Sequence, residues 1–212
     1  AYRSYVTRVI TGENVAAGAF RQADRVRAFA HQLVAALWLR KADPHIGNTG
    51  FAGDIPVALD HDQVLGMNAY SPDERGFRRF APQFLSELVF NSARILYSIR
   101  TGGPTVLDDV TARLRTAEDP LAIMRQSLAR FHFGRALVAA QGLTRENLRQ
   151  AVQACKAVSF HDIAGAGYLA GYRQDEIEPY LRDLPAVQAR LGRELDMLWE
   201  SLTGTRGGFA EL

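Results

Sequence analysis

The chain lacks several features that would assign it to a class of protein at once. Its 212 residues contain a single cysteine, Cys155, so an intrachain disulfide is excluded and a reducing, cytoplasmic compartment is predicted. No apolar run approaches the roughly 18 residues that a membrane-spanning helix needs. The formal net charge is only +2, from 25 basic and 23 acidic residues. Charge therefore gives no reason to expect a nucleic acid or a membrane surface as partner.

Lysine is almost absent, although arginine is common. Lys41 and Lys156 are the only lysines, and neither lies in a strand-like segment. Cys155 lies in an apolar, helix-like context, which favours a buried structural thiol over a nucleophile. With 47% hydrophobic and 23% charged residues, the composition is that of an ordinary globular protein. A single domain covering residues 1–212 is the prediction.

The spacing of apolar residues predicts a mostly α-helical fold. Between Ala23 and Arg40, apolar residues recur every three or four positions, as on the buried face of an amphipathic helix. Capping residues, glycines and prolines mark further helices after residue 73, and Asp119-Pro120 and Thr144 are the clearest helix starts. The predicted helices are 23–40, 80–100, 105–115, 120–141, 145–158, 175–181 and 186–202.

Strand-like sequence is confined to the first 60 residues. Ser4 to Ile10 is rich in β-branched and aromatic residues and predicts a short strand. Phe51 to Pro56 predicts the tip of a hairpin, and Pro56 to Leu59 its returning strand. The hairpin follows a loop marked by Pro44 and Gly47.

Three polar residues flank this hairpin in an informative order. Asp43 and Asn48 lie five positions apart in the loop, and Asp60 follows the apolar returning strand. Phosphoryl transfer needs a carboxylate that orients a hydroxyl and takes its proton. It also needs oxygen ligands for Mg²⁺, such as an amide and a second carboxylate. The three residues therefore predict half of a phosphoryl-transfer site.

The same stretch resembles the catalytic loop of atypical kinases. Ala42-Asp43-Pro44-His45-Ile46-Gly47-Asn48 has the D-x-H-x-G-N core of such loops, and Leu59-Asp60-His61-Asp62 resembles their metal-binding segment. The families with this pattern are the phosphatidylinositol 3/4-kinases, the actin-fragmin kinases, the aminoglycoside phosphotransferases and, more loosely, the HipA-type kinases. The resemblance covers about 20 of 212 residues.

The resemblance implies a kinase-like C-terminal lobe, a helical bundle with a small β-hairpin at the active site. It implies Asp43 as catalytic base, and Asn48 and Asp60 as ligands of Mg²⁺, with ATP as phosphate donor. His45 would order the loop or contact a phosphate. The implied reaction is Mg²⁺- and ATP-dependent phosphate transfer to a hydroxyl of a protein, a lipid or a small molecule.

Residues 1–14 are similar to the strand that joins the two lobes of a kinase. The resemblance makes the backbone of Val9 and Ile10 the adenine contact. Residues 23–62 would form the catalytic core and residues 73–212 the helical remainder. No glycine-rich loop and no strand-borne lysine precede Asp43. The expectation is that an N-lobe outside this chain completes the site, as an adjoining segment or as a subunit in trans.

The sequence departs from the kinase pattern in places. Pro44 and His45 stand where many kinases have an arginine beside the base, and Asp62 replaces the glycine of D-F-G. No A-P-E segment follows, so an activation loop controlled by phosphorylation is not expected. The alternative is a non-catalytic helical interaction module, or a pseudokinase fragment, in which the polar residues only shape turns. The arginine- and alanine-rich composition suggests a GC-rich bacterium, and a toxin kinase or an effector secreted into a host is one hypothesis.

Two other polar groups are candidates for function. Arg75, Arg78 and Arg79, with Phe77 and Phe80, form a possible basic-aromatic patch for a phosphate or acidic ligand. A solvated loop leading into a helix is the competing interpretation. A second cluster, Ser159, His161 and Asp162, has the residue types of a nucleophilic triad, but the three are too close in sequence to form one easily.

Overall fold

A computed structural model shows that the chain is mostly helical, as predicted. It describes residues 23–52, 55–58, 73–92, 113, 114, 116–131, 135, 138, 143–169, 171 and 173–212. In this part of the chain, no helix is both long and apolar enough to cross a membrane. The predicted strand at Ser4 to Ile10 and the predicted helix 105–115 lie largely or wholly outside the described residues.

The described elements follow one another as a long helix, a hairpin and a series of helices. Their bounds are α1 Ala23–Trp38, a 3₁₀ turn Ile46–Asn48, β1 Thr49–Ala52, β2 Ile55–Ala58, α2 Glu74–Leu85 with a π-helical continuation Ser86–Asn91, α3 Pro120–Phe131, α4 Arg145–Ala157, α5 Phe160–Leu169 and α6 Gln174–Thr203. β1 and β2 pair antiparallel, which confirms the predicted hairpin.

Two of the predicted helix starts are confirmed by their caps. The Asp119 carboxylate accepts a hydrogen bond from the backbone N–H of Ala122 at 3.1 Å. The Thr144 hydroxyl accepts one from the backbone N–H of Asn147, also at 3.1 Å. Each cap satisfies an N–H that has no partner within its own helix.

Two helix predictions are wrong in their bounds. Helix α2 begins at Glu74 rather than Phe80, because Asp73 caps it by accepting a bond from Gly76 N–H at 2.7 Å. The two helices predicted for 175–181 and 186–202 are one helix, α6. Pro185 lies inside α6 on an exposed position. The hydrogen bond lost at Pro185 is on the solvent side, and packing along the rest of the helix outweighs it.

The hydrophobic core forms where α1, α2, α3, α4 and α6 meet. Helix α1 packs extensively against α4, and α6 lies against α1, α2, α3 and α4. Both tryptophans, Trp38 and Trp199, are buried there, and Cys155 lines the same core. The largest fully buried apolar side chains are Leu37, Phe77, Phe80, Phe84, Leu85, Met124, Leu128, Leu148, Leu184, Leu191 and Phe209.

Helix α2 changes its hydrogen-bonding pattern midway. Pro82 is buried inside α2, and its ring nitrogen has no proton to donate to the preceding turn. The chain then continues as the π-helical segment, which buries Leu88 and Val89. Leu88 lies in the hydrophobic core beside Phe84 and Leu85, and it also lines a small cavity together with Lys41 and Asn48.

Helix α1 ends in a Schellman motif closed by an arginine. The backbone N–H of Arg40 donates to Leu37 O at 3.2 Å, and that of Lys41 donates to Ala36 O at 2.8 Å. Arg40 has a φ of +54°, the left-handed conformation usually taken by glycine at this position. For a residue with a Cβ, that conformation costs roughly 1–2 kcal/mol. Another interaction must hold Arg40 in place.

That interaction is a buried ion pair with α6. The two terminal nitrogens of Arg40 each donate to one oxygen of Glu194, both at 2.7 Å. Both residues are almost completely buried, with 3% and 1% of their surface exposed. The Arg40 guanidinium also lies over the rings of Phe77 and Phe80, at 5.5 and 5.3 Å from their centroids. One side chain thus joins α1, α2 and α6.

The segment after α6 folds back onto that helix. The Asp196 carboxylate accepts hydrogen bonds from three backbone N–H groups, those of Gly207, Phe209 and Ala210, at 3.0, 3.0 and 2.7 Å. The Phe209 ring is buried edge-on against Trp199, with centroids 5.9 Å apart. The approach is so close that a Cβ on Gly192 would lie 2.1 Å from the Phe209 carbonyl oxygen.

The buried pair generates a stability prediction. We expect Glu194→Gln to lower the free energy of unfolding by about 3–5 kcal/mol, because it leaves the buried Arg40 charge without its partner. Urea denaturation monitored by tryptophan fluorescence measures the change. The matched control is Glu74→Gln, which removes an exposed ion pair with Arg78 and should cost less than about 1 kcal/mol. Equal effects of the two substitutions on the free energy of unfolding would contradict the description of Arg40 and Glu194 as a buried ion pair.

Candidate functional site around the 41–48 loop

The loop 41–48 leads directly from the end of α1 into β1. Arg40 fixes its first residue through the Schellman turn, and the hairpin begins at Thr49. The loop closes with the 3₁₀ turn Ile46–Asn48, in which the backbone N–H of Asn48 donates to His45 O at 2.9 Å. Both ends of the loop are therefore held by regular structure.

Asp43 and Asn48 meet inside this loop. The amide nitrogen of Asn48 donates to the Asp43 carboxylate at 2.5 Å and to the Asp43 backbone carbonyl at 3.1 Å. Asp43 is buried, with 9% of its surface exposed. Because the amide nitrogen is engaged with Asp43, the amide oxygen is the atom of Asn48 that could ligate a cation. The spacing of five residues thus brings a carboxylate and an amide to one point.

Lys41 adds a positive charge to this point. Its side chain is buried, and its ammonium nitrogen lies 3.9 Å from a carboxylate oxygen of Asp43. At that distance the two opposite charges attract, and burial weakens the screening by solvent. No pattern in the sequence places a lysine beside the candidate base. Its closeness to Asp43 follows from the sharp turn at Arg40.

His45 contributes to the loop through its backbone. Its carbonyl oxygen accepts the Asn48 N–H bond that closes the 3₁₀ turn, which agrees with a loop-ordering role. Its side chain is half-buried, and Nδ1 has no hydrogen-bond partner among the described residues. The predicted phosphate contact stays a prediction.

A small cavity lies beneath the loop. Its volume is about 30 Å³, and it is lined by residues of α1, by Lys41, Pro44 and Asn48, by Thr49 and by Leu88. That is room for about one water molecule and far less than a nucleotide needs. Leu88 of the π-helical segment thus lines this cavity together with the loop. Two larger cavities, of about 350 and 390 Å³, are not lined by the described residues of this loop.

Three of the predicted site residues lie outside the described residues, namely Asp60, Val9 and Ile10. The described residue closest to Asp60 along the chain is Ala58, the last residue of β2. Ala58 pairs with Thr49, the residue directly after Asn48. Within the described ranges, no group of three or more His, Cys, Asp or Glu side chains is placed to hold a metal ion.

The structure removes two other candidate sites. Ser159 caps α5, accepting a bond from Asp162 N–H at 3.1 Å and donating to the Asp162 carboxylate at 2.6 Å, so these residues form a cap and not a triad. The basic-aromatic patch is also wrong as a surface feature. Phe77 and Phe80 are fully buried under α2, and only the arginines are exposed.

The residues that sequence reasoning missed are Arg40 and Glu194. One signal could have found the second of them. Glu194 shares the apolar stripe of α6 with Leu191, Leu195 and Leu198, so a carboxylate stands at a position where the pattern predicts a buried apolar side chain. A charge on such a stripe needs a buried partner.

Comparison with known proteins adds no relative: no family model, no curated protein and no solved structure matches this chain. The candidate site therefore rests on its own residues and geometry.

The buried thiol generates a prediction about reactivity. Burial raises the pKa of Cys155 to about 11, so very little thiolate is present at neutral pH. We expect iodoacetamide to label Cys155 at least about tenfold more slowly in the folded chain than in urea, as measured by mass spectrometry. The labelling rate of the folded chain should keep rising above pH 9. A rate that levels off near pH 9 would show that the thiol is not buried as described.

Proposed function

We propose that this chain is the C-terminal lobe of a kinase-like phosphotransferase that uses Mg²⁺ and ATP. The observation that carries the proposal is the bond between Asn48 and Asp43, which holds a candidate base and a candidate metal ligand together. A loop with only a turn-forming role has no need for a buried carboxylate beside a buried lysine. The mostly helical fold and the hairpin after the loop agree with the resemblance.

Each residue has a role in the proposed reaction. Asp43 orients the hydroxyl of the acceptor and takes its proton as the oxygen bonds to the γ-phosphorus and ADP leaves. Asn48 offers its amide oxygen to Mg²⁺, and Asp60 is the second proposed ligand. Amide and carboxylate oxygens are the hard donors that Mg²⁺ prefers, so the residue types fit the ion. When bound, Mg²⁺ would offset charge on the phosphate oxygens.

The hairpin register supports the place proposed for Asp60. Because Ala58 pairs with Thr49, the returning strand ends beside the residue that follows Asn48. Asp60 is two residues further along the chain. A chain of two residues reaches at most about 7 Å, so a position near Asn48 is within its range.

The lysine that pairs with the phosphates in kinases is proposed to come from an N-lobe outside this chain. Lys41 lies in the loop beside Asp43, and Lys156 lies in α4, so neither is on a strand. The acceptor hydroxyl belongs to a protein, a lipid or a small molecule, and the proposal does not choose among these. Catalysis is therefore to be measured in the intact protein that contains this sequence.

The first activity prediction concerns the base. Asp43→Asn should lower the rate of ADP release from Mg²⁺-ATP by about 10²–10⁴-fold, because the amide cannot take a proton. The new amide oxygen can still accept the Asn48 bond, but the buried Lys41 loses its counter-charge, so the melting temperature should fall. The rates are therefore compared at a temperature at which circular dichroism shows the variant to be folded. Asp175→Asn, which alters an exposed ion pair with Arg173, is the matched control and should keep full activity. Full activity of Asp43→Asn would contradict the assignment of Asp43 as the catalytic base.

The second activity prediction concerns the metal ligands. Asn48→Ala and Asp60→Ala should each raise the Mg²⁺ concentration needed for half-maximal rate by about tenfold or more, since each removes a ligand. The measurement is a Mg²⁺ titration at saturating ATP, with Asp175→Ala as the control. An unchanged Mg²⁺ dependence in both variants, with no thermal stabilisation of the intact protein by Mg²⁺-ATP, favours the non-catalytic module instead.

A further inference from the structure

Lys41 is a charged residue of the loop to which the proposed reaction gives no role. Only 4% of its surface is exposed, whereas Lys156, the other lysine of the chain, is half-exposed. A lysine normally keeps its ammonium group in water, and burial of that charge is costly unless an opposite charge compensates it. The burial of Lys41 therefore indicates an interaction inside the protein.

The compensating charge belongs to Asp43. The ammonium nitrogen of Lys41 lies 3.9 Å from Oδ1 of Asp43, and the two side chains are only 5% and 12% exposed. This distance is too long for a hydrogen bond. The attraction between the two charges is nevertheless substantial, because solvent screens a buried pair much less than an exposed one.

The Asp43 carboxylate is thus approached at both of its oxygens. Oδ2 accepts the hydrogen bond from the Asn48 amide at 2.5 Å, while Oδ1 faces Lys41. The torsion that turns an aspartate carboxylate is a soft one, so a single contact leaves the plane of the group free to rotate. Two contacts, one at each oxygen, define that plane.

Lys41 itself is not placed to contact a nucleotide. Its side chain is almost completely buried, and the cavity that it lines with Asn48 and Leu88 has a volume of only about 30 Å³. That space holds about one water molecule. Lys41 therefore does not replace the lysine expected from an N-lobe, and any effect that it has on the reaction must act through Asp43.

We propose that Lys41 is a positioning residue of the phosphotransfer site. Its ammonium group fixes the orientation in which the Asp43 carboxylate meets the acceptor hydroxyl. The inference rests on the proposed function, because it takes Asp43 as the catalytic base. A displacement of about 1 Å at a reacting group can lower a rate by about 10²-fold, so this orientation affects turnover rather than nucleotide binding.

The first test measures ADP release by the intact protein. Lys41→Met keeps an unbranched side chain but removes the charge, and it should lower kcat by about 10–100-fold. The KM for ATP should change by less than about twofold, because Lys41 does not contact the nucleotide. In the Asp43→Asn background the same substitution should have little further effect, since Lys41 acts through that carboxylate. Each rate is measured at a temperature at which circular dichroism shows the variant to be folded.

The second test does not depend on activity. NMR on the 212-residue chain measures how fast the side-chain amide hydrogens of Asn48 exchange with solvent. The bond to the buried carboxylate should slow this exchange, and Lys41→Met should speed it by about tenfold or more. Lys156→Met is the matched control in both tests and should leave the exchange and the activity unchanged. An inactive intact protein would refute the proposed function, and the exchange rates would still decide whether Lys41 orients Asp43.

A double variant covers the case in which Lys41→Met does not fold. Lys41→Met combined with Asp43→Asn removes both charges, so it should melt at a higher temperature than either single variant. A melting temperature no higher than those of the single variants would overturn the proposal. So would unchanged exchange at Asn48 in folded Lys41→Met, or a loss of kcat that is equally large with and without the Asp43 carboxylate.

Discussion

The fold depends on the ion pair between Arg40 and Glu194. Arg40 takes a left-handed conformation that is costly for any residue but glycine, and two short bonds to Glu194 hold it there. Taking both charges out of water is itself expensive, so the geometry must be kept nearly ideal. The end of α1, the start of the 41–48 loop and the position of α6 are consequently fixed together. The positions of Asp43 and Asn48 in the loop depend on that arrangement.

Much of the helical fold could be predicted because its physical causes are local. The apolar period of α1 and the caps at Asp119 and Thr144 depend on residues within a few positions of one another. The errors came where tertiary packing outweighed a local signal. Pro185 is a helix breaker in isolation, yet α6 runs through it because the lost hydrogen bond faces solvent. The start of α2 is a different case, because its cause is local: Asp73 caps the helix in a segment whose arginines suggested a loop.

The candidate site also has one part that the local sequence predicts and another part that it does not. The meeting of Asp43 and Asn48 could be predicted, since only the four residues from Pro44 to Gly47, two of them turn formers, lie between them. The part played by Arg40 could not, because its partner lies 154 residues away and no local pattern connects them. Lys41 is a related case: nothing in its neighbours shows that the chain turns sharply enough to place it beside Asp43. Long-range charge pairing is decided only after the helices pack.

The distance in sequence between Arg40 and Glu194 also has a consequence for biosynthesis. A chain emerging from the ribosome completes α1 and the loop long before α6 exists. Until Glu194 is made and α6 docks, the Arg40 charge has no buried partner, and the left-handed turn after α1 has little to hold it. The loop can therefore take its final shape only after α6 has been made. A chain that stops before Glu194 would carry Asp43 and Asn48 without the packing that holds the loop in the arrangement described.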